Sequence, residues 1–122
     1  MRIILDTSVL WNPTAVNLLA ETGDDVIIPT VVFAERARQF RKKGYSVRDL
    51  RIWLSANQFE IESMDSTMAV KYSSEITDDT AWNKLSRDSL IAGHISDDDQ
   101  LWTSNLDDFI EIGVPPANIF QV

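Results

Sequence analysis

The fold is decided by the first 35 residues, which read MRIILDTSVLWNPTAVNLLAETGDDVIIPTVVFAE. Residues 2–6 form an apolar, partly β-branched run that ends in a carboxylate, as is typical of a short buried strand. The pair Asn12-Pro13 favours a helix start, because proline suits the first helical turn. A turn at 23–25 and the apolar run 26–28 predict a second buried strand. This order of strand, helix and strand is the unit of a parallel sheet.

The rest of the chain continues the alternation. The pattern predicts helices that open at Pro29-Thr30 and Ser46 and that cover 66–76, about 84–96 and 106–112, a turn at 77–80, and strands at 59–62, 99–103 and 119–122. Strands separated by helices, without tight hairpin turns, imply crossover connections. We therefore predict a three-layer α/β/α sandwich with a mainly parallel central sheet, formed by one domain over residues 1–122.

The charge of the chain is strongly uneven. A net charge of −8 and a pI near 4.4 argue against a generally basic, nucleic-acid-binding surface. Seven of the eleven Lys and Arg residues nevertheless lie within residues 36–51. The ordinary interpretation of such a run is a solvated helix surface. Both possibilities stay open at this point.

Several classes of protein are disfavoured by what the sequence lacks. It has no cysteine, which excludes disulfides and thiolate metal sites. No apolar run approaches the roughly 18–20 residues that span a bilayer. The first ten residues have the pattern of a strand rather than that of a signal peptide. A cytoplasmic protein without a membrane partner is expected.

Polar residues are expected at the carboxyl edge of the sheet, where open parallel sheets bind their ligands. Some end a strand or follow it directly, namely Asp6, Thr7, Ser8, Thr103 and Asn105. Two others, Glu35 and Asp88, lie on predicted helices. Asp88 shares a helix face with Ile91 and Ile95, so this apolar face carries the carboxylate inward. Converging carboxylates repel each other unless a cation holds them ionised. Oxygen ligands suit Mg²⁺ or Mn²⁺, and such ions promote phosphodiester hydrolysis.

Each of these residues also has an ordinary structural interpretation. An Asp after a strand is often a cap, a helical Glu is usually exposed, and Asn105 is a common turn residue. Asp88 near a helix start would favour the positive end of the helix dipole. The single histidine, His94, lies off the Asp88 face and is expected at the surface or in packing. The four tryptophans are scattered and are expected in the core or at an interface.

Four segments in chain order carry a family resemblance. They are ILDTSVL at 4–10, PTVVFAE at 29–35, RDSLIA at 87–92 and LWTSNLDDF at 101–109. Together they resemble the acidic motifs of PIN-domain ribonucleases, in particular the VapC type of toxin. The resemblance implies an Mg²⁺- or Mn²⁺-dependent endoribonuclease that acts on RNA. It also implies a homodimer and a small VapB-like antitoxin as partner.

The resemblance further assigns roles to individual residues. Asp6, Glu35 and Asp88 correspond to the catalytic metal ligands, with Asn105 assisting at a position where many members carry Asp. Asp107 or Asp108 would supply the missing charge, and in the motif Asp108 is the residue beside Phe109. The hydroxyls of Thr7, Ser8 and Thr103 would hold the carboxylates in place. In the basic segment, Arg38, Lys42 and Arg51 are the candidates for guiding RNA phosphates.

Three alternatives remain from the sequence. Asn105 is compatible with a PIN fold that no longer cuts and serves as an RNA- or protein-binding module. A housekeeping RNA-processing nuclease would carry the same motifs as a toxin. A receiver-like signalling domain also has an acidic pocket, but residues 1–4 lack its early acidic pair and the segment after Thr103 lacks its lysine.

Overall fold

Five parallel strands form the central sheet, in the order β3-β2-β1-β4-β5. They are β1 (Arg2–Leu5), β2 (Asp25–Pro29), β3 (Phe59–Glu62), β4 (Gln100–Thr103) and β5 (Ile119–Gln121). In the computed structural model, which describes residues 1–122, Ile4 of β1 lies opposite Ile27 of β2 and Leu101 of β4. The predicted parallel sheet is confirmed, since every strand pair is parallel.

Seven α-helices connect the strands and complete the predicted three-layer α/β/α architecture. They are α1 (Thr7–Leu10), α2 (Pro13–Thr22), α3 (Thr30–Lys42), α4 (Val47–Ala56), α5 (Ser66–Val70), α6 (Asp79–Ala92) and α7 (Leu106–Ile112). The predicted start of α2 is confirmed, because Asn12 caps it and accepts from the backbone N–H of Ala15 at 3.1 Å. The predicted helix start at Ser46 is also confirmed, because Ser46 and Asp49 form a capping box there. No helix combines the length and the apolar character that crossing a bilayer requires.

The connections place a crevice beside the central strand. From β1 the chain passes to β2 and β3 on one side, and then crosses to β4 and β5 on the other. Because such crossovers are right-handed, this reversal puts helices on both faces of the sheet. It also opens a crevice between the carboxyl ends of β1 and β4. Asp6 follows β1 and Thr103 ends β4 at this point.

The strands that carry this crevice are anchored in the core. Ile4, Leu5, Ile28 and Leu101 are fully buried within one cluster of 23 apolar residues. Full burial of such a side chain contributes about 1.5–3 kcal/mol relative to its exposure. The loops after β1 and β4 therefore start from a rigid base.

The prediction of one helix over 66–76 is wrong beyond Val70. The hydroxyls of Ser73 and Ser74 donate to the carbonyls of Ala69 and Val70, respectively. Serine side chains that bond the backbone in this way compete with the helical ladder. A short 3₁₀ turn, Ser73–Glu75, follows instead.

The predicted start of the next helix is also wrong. Helix α6 begins at Asp79 rather than near Lys84, because Asp78 caps it and accepts from the backbone N–H of Ala81 at 2.8 Å. The predicted turn at 77–80 therefore contains this cap and the first helical residues. Asp88 is the tenth of the 14 residues of α6. A role at the positive end of the helix dipole is thus excluded for Asp88.

His94 is a packing residue and does not lie at the surface. It is buried, and its Nδ1 lies 2.8 Å from Glu62 Oε1. The preceding Gly93 leaves α6 next to α5, and a Cβ there would overlap the carbonyl oxygen of Met68. This close contact fixes the carboxyl end of α6 against α5, and with it the position of Asp88 relative to the sheet.

Candidate active site

Three hydrogen bonds from the segments after β1 and at the end of β4 hold Asp6 at the carboxyl end of β1. It caps α1, where its Oδ1 accepts from the backbone N–H of Thr7 at 2.7 Å. Its Oδ2 accepts from the hydroxyls of Ser8 at 3.1 Å and Thr103 at 2.8 Å. Ser8 Oγ also accepts from the backbone N–H of Ser104 at 3.3 Å. The buried carboxylate is therefore fixed in one orientation by the loops after β1 and β4.

Glu35 reaches the same crevice from the second turn of α3. Thr7 Oγ1 donates to Glu35 Oε1 at 3.2 Å. Because Thr7 directly follows Asp6, this bond brings α3 to the end of β1. The Glu35 side chain is 32% exposed, so its carboxylate faces the open crevice rather than the core. It is accessible to a ligand that enters from solvent.

Asp88 approaches from α6 and is nearly inaccessible to water. It is 3% exposed, and its Oδ1 has no hydrogen-bond partner. Burial is the main cause that raises the pKa of Asp88 to about 6; the charge of Arg87 opposes it, and the charges of Asp6, Asp108 and Glu35 add to it. A buried carboxylate without a hydrogen bond to one oxygen is costly unless a cation compensates it.

The cation that compensates these carboxylates is Arg87. Its Nη2 lies 3.3 Å from Asp6 Oδ1 and 3.0 Å from Asp88 Oδ1. Its Nη1 donates to both carboxylate oxygens of Glu35 at 3.2 Å. Asp6, Glu35 and Asp88 thus converge on one guanidinium, as the sequence predicted that they would converge. We call these three carboxylates with Arg87 the acidic cluster.

Sequence reasoning missed Arg87. In the sequence it is one more cation on an amphipathic helix, and nothing in its neighbourhood distinguishes it from a solvated arginine. The requirement for a cation among buried carboxylates was the only available indication.

Asn105 and Asp108 lie next to the acidic cluster and contact each other. Asn105 Nδ2 donates to Asp108 Oδ2 at 2.7 Å, and the backbone N–H of Asn105 donates to Thr103 Oγ1 at 2.9 Å. Thr103 therefore connects Asn105 to Asp6. Asp108 also lies 3.6 Å from Lys84 Nζ. Neither Asn105 nor Asp108 makes a hydrogen bond to Asp6, Glu35 or Asp88.

The donor set fits a hard divalent cation in its chemistry. Three carboxylates and an amide, without His or Cys, are the oxygen ligands that Mg²⁺ and Mn²⁺ prefer. Oδ1 of Asp88, which accepts no hydrogen bond and has only the ion pair with Arg87, is an available ligand atom. In the observed conformation, however, no three acidic or histidine side chains surround a common metal position. The guanidinium of Arg87 takes up the space between them, so a metal ion would have to share or replace its contacts.

The three predicted phosphate-guiding residues are exposed and carry uncompensated charge. Arg38 and Lys42 lie three and seven residues after Glu35, so they extend its face of α3. Arg51 lies on α4, with its guanidinium carbon 4.9 Å from the ring centre of Phe33. No cation of residues 36–51 takes part in an ion pair. In a chain with 19 acidic residues, this leaves a positively charged surface beside the crevice.

A cavity lies elsewhere in the molecule. It measures about 450 Å³ and is lined by residues at the amino ends of β2 and β3, among them Asp25, Gln58 and Glu60. Its charged side chains are all acidic, and none belongs to the acidic cluster. The acidic cluster, unlike this cavity, brings carboxylates and a cation into contact, so we place the candidate site there.

Neither the family models nor the curated proteins include a match to this sequence. The geometry of the acidic cluster and the motifs that supply its residues are therefore the basis for inferring a function.

Proposed function

We propose that the chain is a metal-dependent endoribonuclease of the PIN-domain type. The observation that carries this proposal is the convergence of Asp6, Glu35 and Asp88 on one cation at the carboxyl edge of a parallel sheet. Three carboxylates fixed around a single positive charge suit a site for a divalent ion. The uncompensated cations at residues 36–51 supply the contacts that a phosphate backbone needs.

Each residue of the acidic cluster has a separate role in the proposed hydrolysis. Bound among them, Mg²⁺ or Mn²⁺ would activate a water and stabilise the charge that develops on the phosphodiester. Asp6 is oriented by Ser8 and Thr103, so it needs no rearrangement to act as a ligand. Glu35 is the exposed ligand and Asp88 the buried one, so substrate enters from the Glu35 side. Asn105, through Thr103, holds the loop after β4 against Asp6.

Metal dependence is the first expected result. Cleavage of a single-stranded RNA should require Mg²⁺ or Mn²⁺ and stop in EDTA, because the site has only oxygen ligands. A zinc-selective chelator should have no effect, since no His or Cys ligand is available. Rates measured by gel electrophoresis with each ion and chelator test this. Full cleavage in EDTA would contradict the mechanism.

The basic surface gives the second expected result. Neutralising Arg38, Lys42 and Arg51 together should weaken RNA binding and lower the slope of log affinity against log salt by roughly 0.7 for each lost contact. Fluorescence anisotropy at a series of salt concentrations measures the slope. Lys71→Gln, at an exposed cation outside the segment, is the matched control and should leave the slope unchanged. An unchanged slope in the triple variant would show that the three residues do not contact RNA phosphates.

A non-cleaving binding module is the second candidate, and Arg87 favours it. The guanidinium already neutralises part of the carboxylate charge, and Asn105 is engaged with Asp108. This candidate predicts RNA or protein binding without turnover in any divalent ion. The cleavage assay above separates it from the nuclease.

The toxin role is a further part of the proposal, carried by the resemblance of the four motifs. It entails a homodimer and a small antitoxin that covers the crevice. Light scattering of the purified chain tests the dimer. Co-expression with the product of an adjacent small gene, followed by the cleavage assay, distinguishes a toxin from a housekeeping RNA-processing nuclease.

A further inference from the structure

A tryptophan and two cations form a cluster beside the crevice that the mechanism does not use. Trp11 follows α1, and the guanidinium carbon of Arg36 lies 3.1 Å from its ring centre. Lys43 Nζ lies 4.2 Å from the same centre. Phe40 flanks the guanidinium, with its ring centre 5.0 Å from Arg36 Cζ. Trp11 is nevertheless 41% exposed. We call Trp11, Arg36 and Lys43 the tryptophan cluster.

Arg36 lacks the partners that a buried cation normally has. It is 7% exposed, makes no ion pair, and its Nε has no hydrogen-bond partner. Its side chain donates only to Gln39 Oε1, at 3.3 Å. Burial lowers the pKa of Arg36 to about 10, so the group stays charged at neutral pH. An uncompensated buried charge is costly, and an anion from outside the chain would relieve that cost.

The tryptophan cluster lies next to the acidic cluster, because helices α1 and α3 carry residues of both. Thr7 and Trp11 are four residues apart and so lie on one side of α1 and the residue after it. Thr7 contacts Glu35, whereas Trp11 contacts Arg36 and Lys43. From Glu35 to Lys43 the rise along α3 is about 12 Å. An RNA strand bound at the acidic cluster is therefore long enough to contact the tryptophan cluster as well.

We propose that the tryptophan cluster is a subsite for a nucleotide next to the scissile phosphodiester. A base stacks on the exposed part of the Trp11 ring, and the phosphate of that nucleotide pairs with Arg36 and Lys43. Base stacking on an aromatic side chain together with cationic contacts is how single strands are held without sequence preference. This proposal rests on the proposed function, because it takes RNA as the ligand. The subsite goes beyond the proposed function because it assigns residues and a base contact outside the acidic cluster.

The test is binding of a short single-stranded RNA, oligouridylate, in EDTA at low salt, where no cleavage is expected. Trp11→Ala should weaken binding about 5- to 150-fold, because stacking contributes about 1–3 kcal/mol for each base. Trp11→Phe should retain most of the affinity, since it keeps an aromatic face. Lys43→Gln, at an exposed side chain, should weaken binding less than Trp11→Ala. Trp82→Ala is the matched control, because Trp82 is 40% exposed on α6 and should not matter.

A modified ligand separates stacking from charge. An oligonucleotide with abasic sites and the same phosphates should bind the native protein as weakly as the intact RNA binds Trp11→Ala. An acidic peptide of equal charge should show no dependence on Trp11, and an equal loss for RNA and peptide would overturn the base contact. Trp11→Phe keeps an aromatic ring beside Arg36, and urea denaturation will check that this variant is folded before its binding is compared.

The outcomes separate this subsite from the proposed function. If the native protein binds and cleaves RNA and Trp11→Ala binds equally well, the subsite is wrong and the nuclease stands. If the native protein neither binds nor cleaves RNA, the proposed function fails and the subsite falls with it. Loss of binding in Trp11→Ala and retention in Trp11→Phe and Trp82→Ala supports the subsite.

Discussion

Asp88→Asn is expected to lower the rate of RNA cleavage in Mg²⁺ by about two orders of magnitude or more. The substitution preserves the shape of the side chain and removes one charge from the acidic cluster. A metal ion at this site would then have one charged ligand fewer and would activate water less strongly. Single-turnover cleavage at saturating Mg²⁺ measures the effect. Asp79→Asn, at an exposed position of the same helix, should cleave at the native rate.

The same substitution is expected to stabilise the metal-free protein at neutral pH. Burial raises the pKa of Asp88 from its ordinary value of 3.8 to about 6. The folded state therefore holds this proton to a higher pH than the unfolded state does, and ionisation costs stability as pH rises between these values. The difference corresponds to roughly 3 kcal/mol at 1.36 kcal/mol per pH unit, an upper limit because the asparagine amide also needs partners.

Denaturation at two pH values checks this sign. In EDTA at pH 8, Asp88→Asn should have a free energy of unfolding about 1–3 kcal/mol above the native value. Near pH 3.5, where the native carboxyl is protonated in the folded state and mostly protonated in the unfolded state, the difference should nearly disappear. Near-normal cleavage by Asp88→Asn, or a lower stability at pH 8 than at pH 3.5 relative to the native protein, would contradict the role assigned to Asp88.

Much of the fold followed from short patterns in the sequence. The apolar runs at the start of the chain and at β4 ended in polar residues, and such runs predict buried parallel strands. The errors arose where side chains act on the backbone. Ser73 and Ser74 interrupt the predicted helix through their own hydroxyls, and Asp78 starts α6 earlier than its apolar face does. A pattern of hydrophobicity does not register either effect.

The candidate site was predictable in part, for a related reason. Asp6 and Thr103 follow from strand order, because the carboxyl ends of neighbouring parallel strands meet. Asp88 follows from the apolar face of its helix. Arg87 and Arg36 do not, because whether an arginine is solvated or stacked depends on residues far away in the chain. Arg36 shows that the interpretation of the basic segment as solvated surface is wrong for at least one member.

Arg87→Ala is expected to have opposite effects on the metal-free and metal-bound forms. Arg87 makes all the ion pairs of Asp6, Glu35 and Asp88, at 3.0–3.3 Å. Its removal leaves three carboxylates without a counter-charge. Loss of one partner from a fully buried pair costs about 3–5 kcal/mol. Arg87 is 37% exposed, so solvent screens part of this and we expect a loss of about 1–3 kcal/mol in EDTA.

With Mn²⁺ present, Arg87→Ala should recover more stability than the native protein gains, because the ion no longer competes with a guanidinium for the same oxygens. A tighter Kd, by about fivefold or more in calorimetric titration, should accompany a larger rise of Tm with Mn²⁺. Arg87→Lys retains a charge without the planar fork and should fall between the two. Arg38→Ala, at an exposed cation without an ion pair, is the matched control and should change neither quantity. Weaker Mn²⁺ binding by Arg87→Ala would show instead that the guanidinium supports the metal ligands, and equal gains in Tm would place the ion away from the acidic cluster.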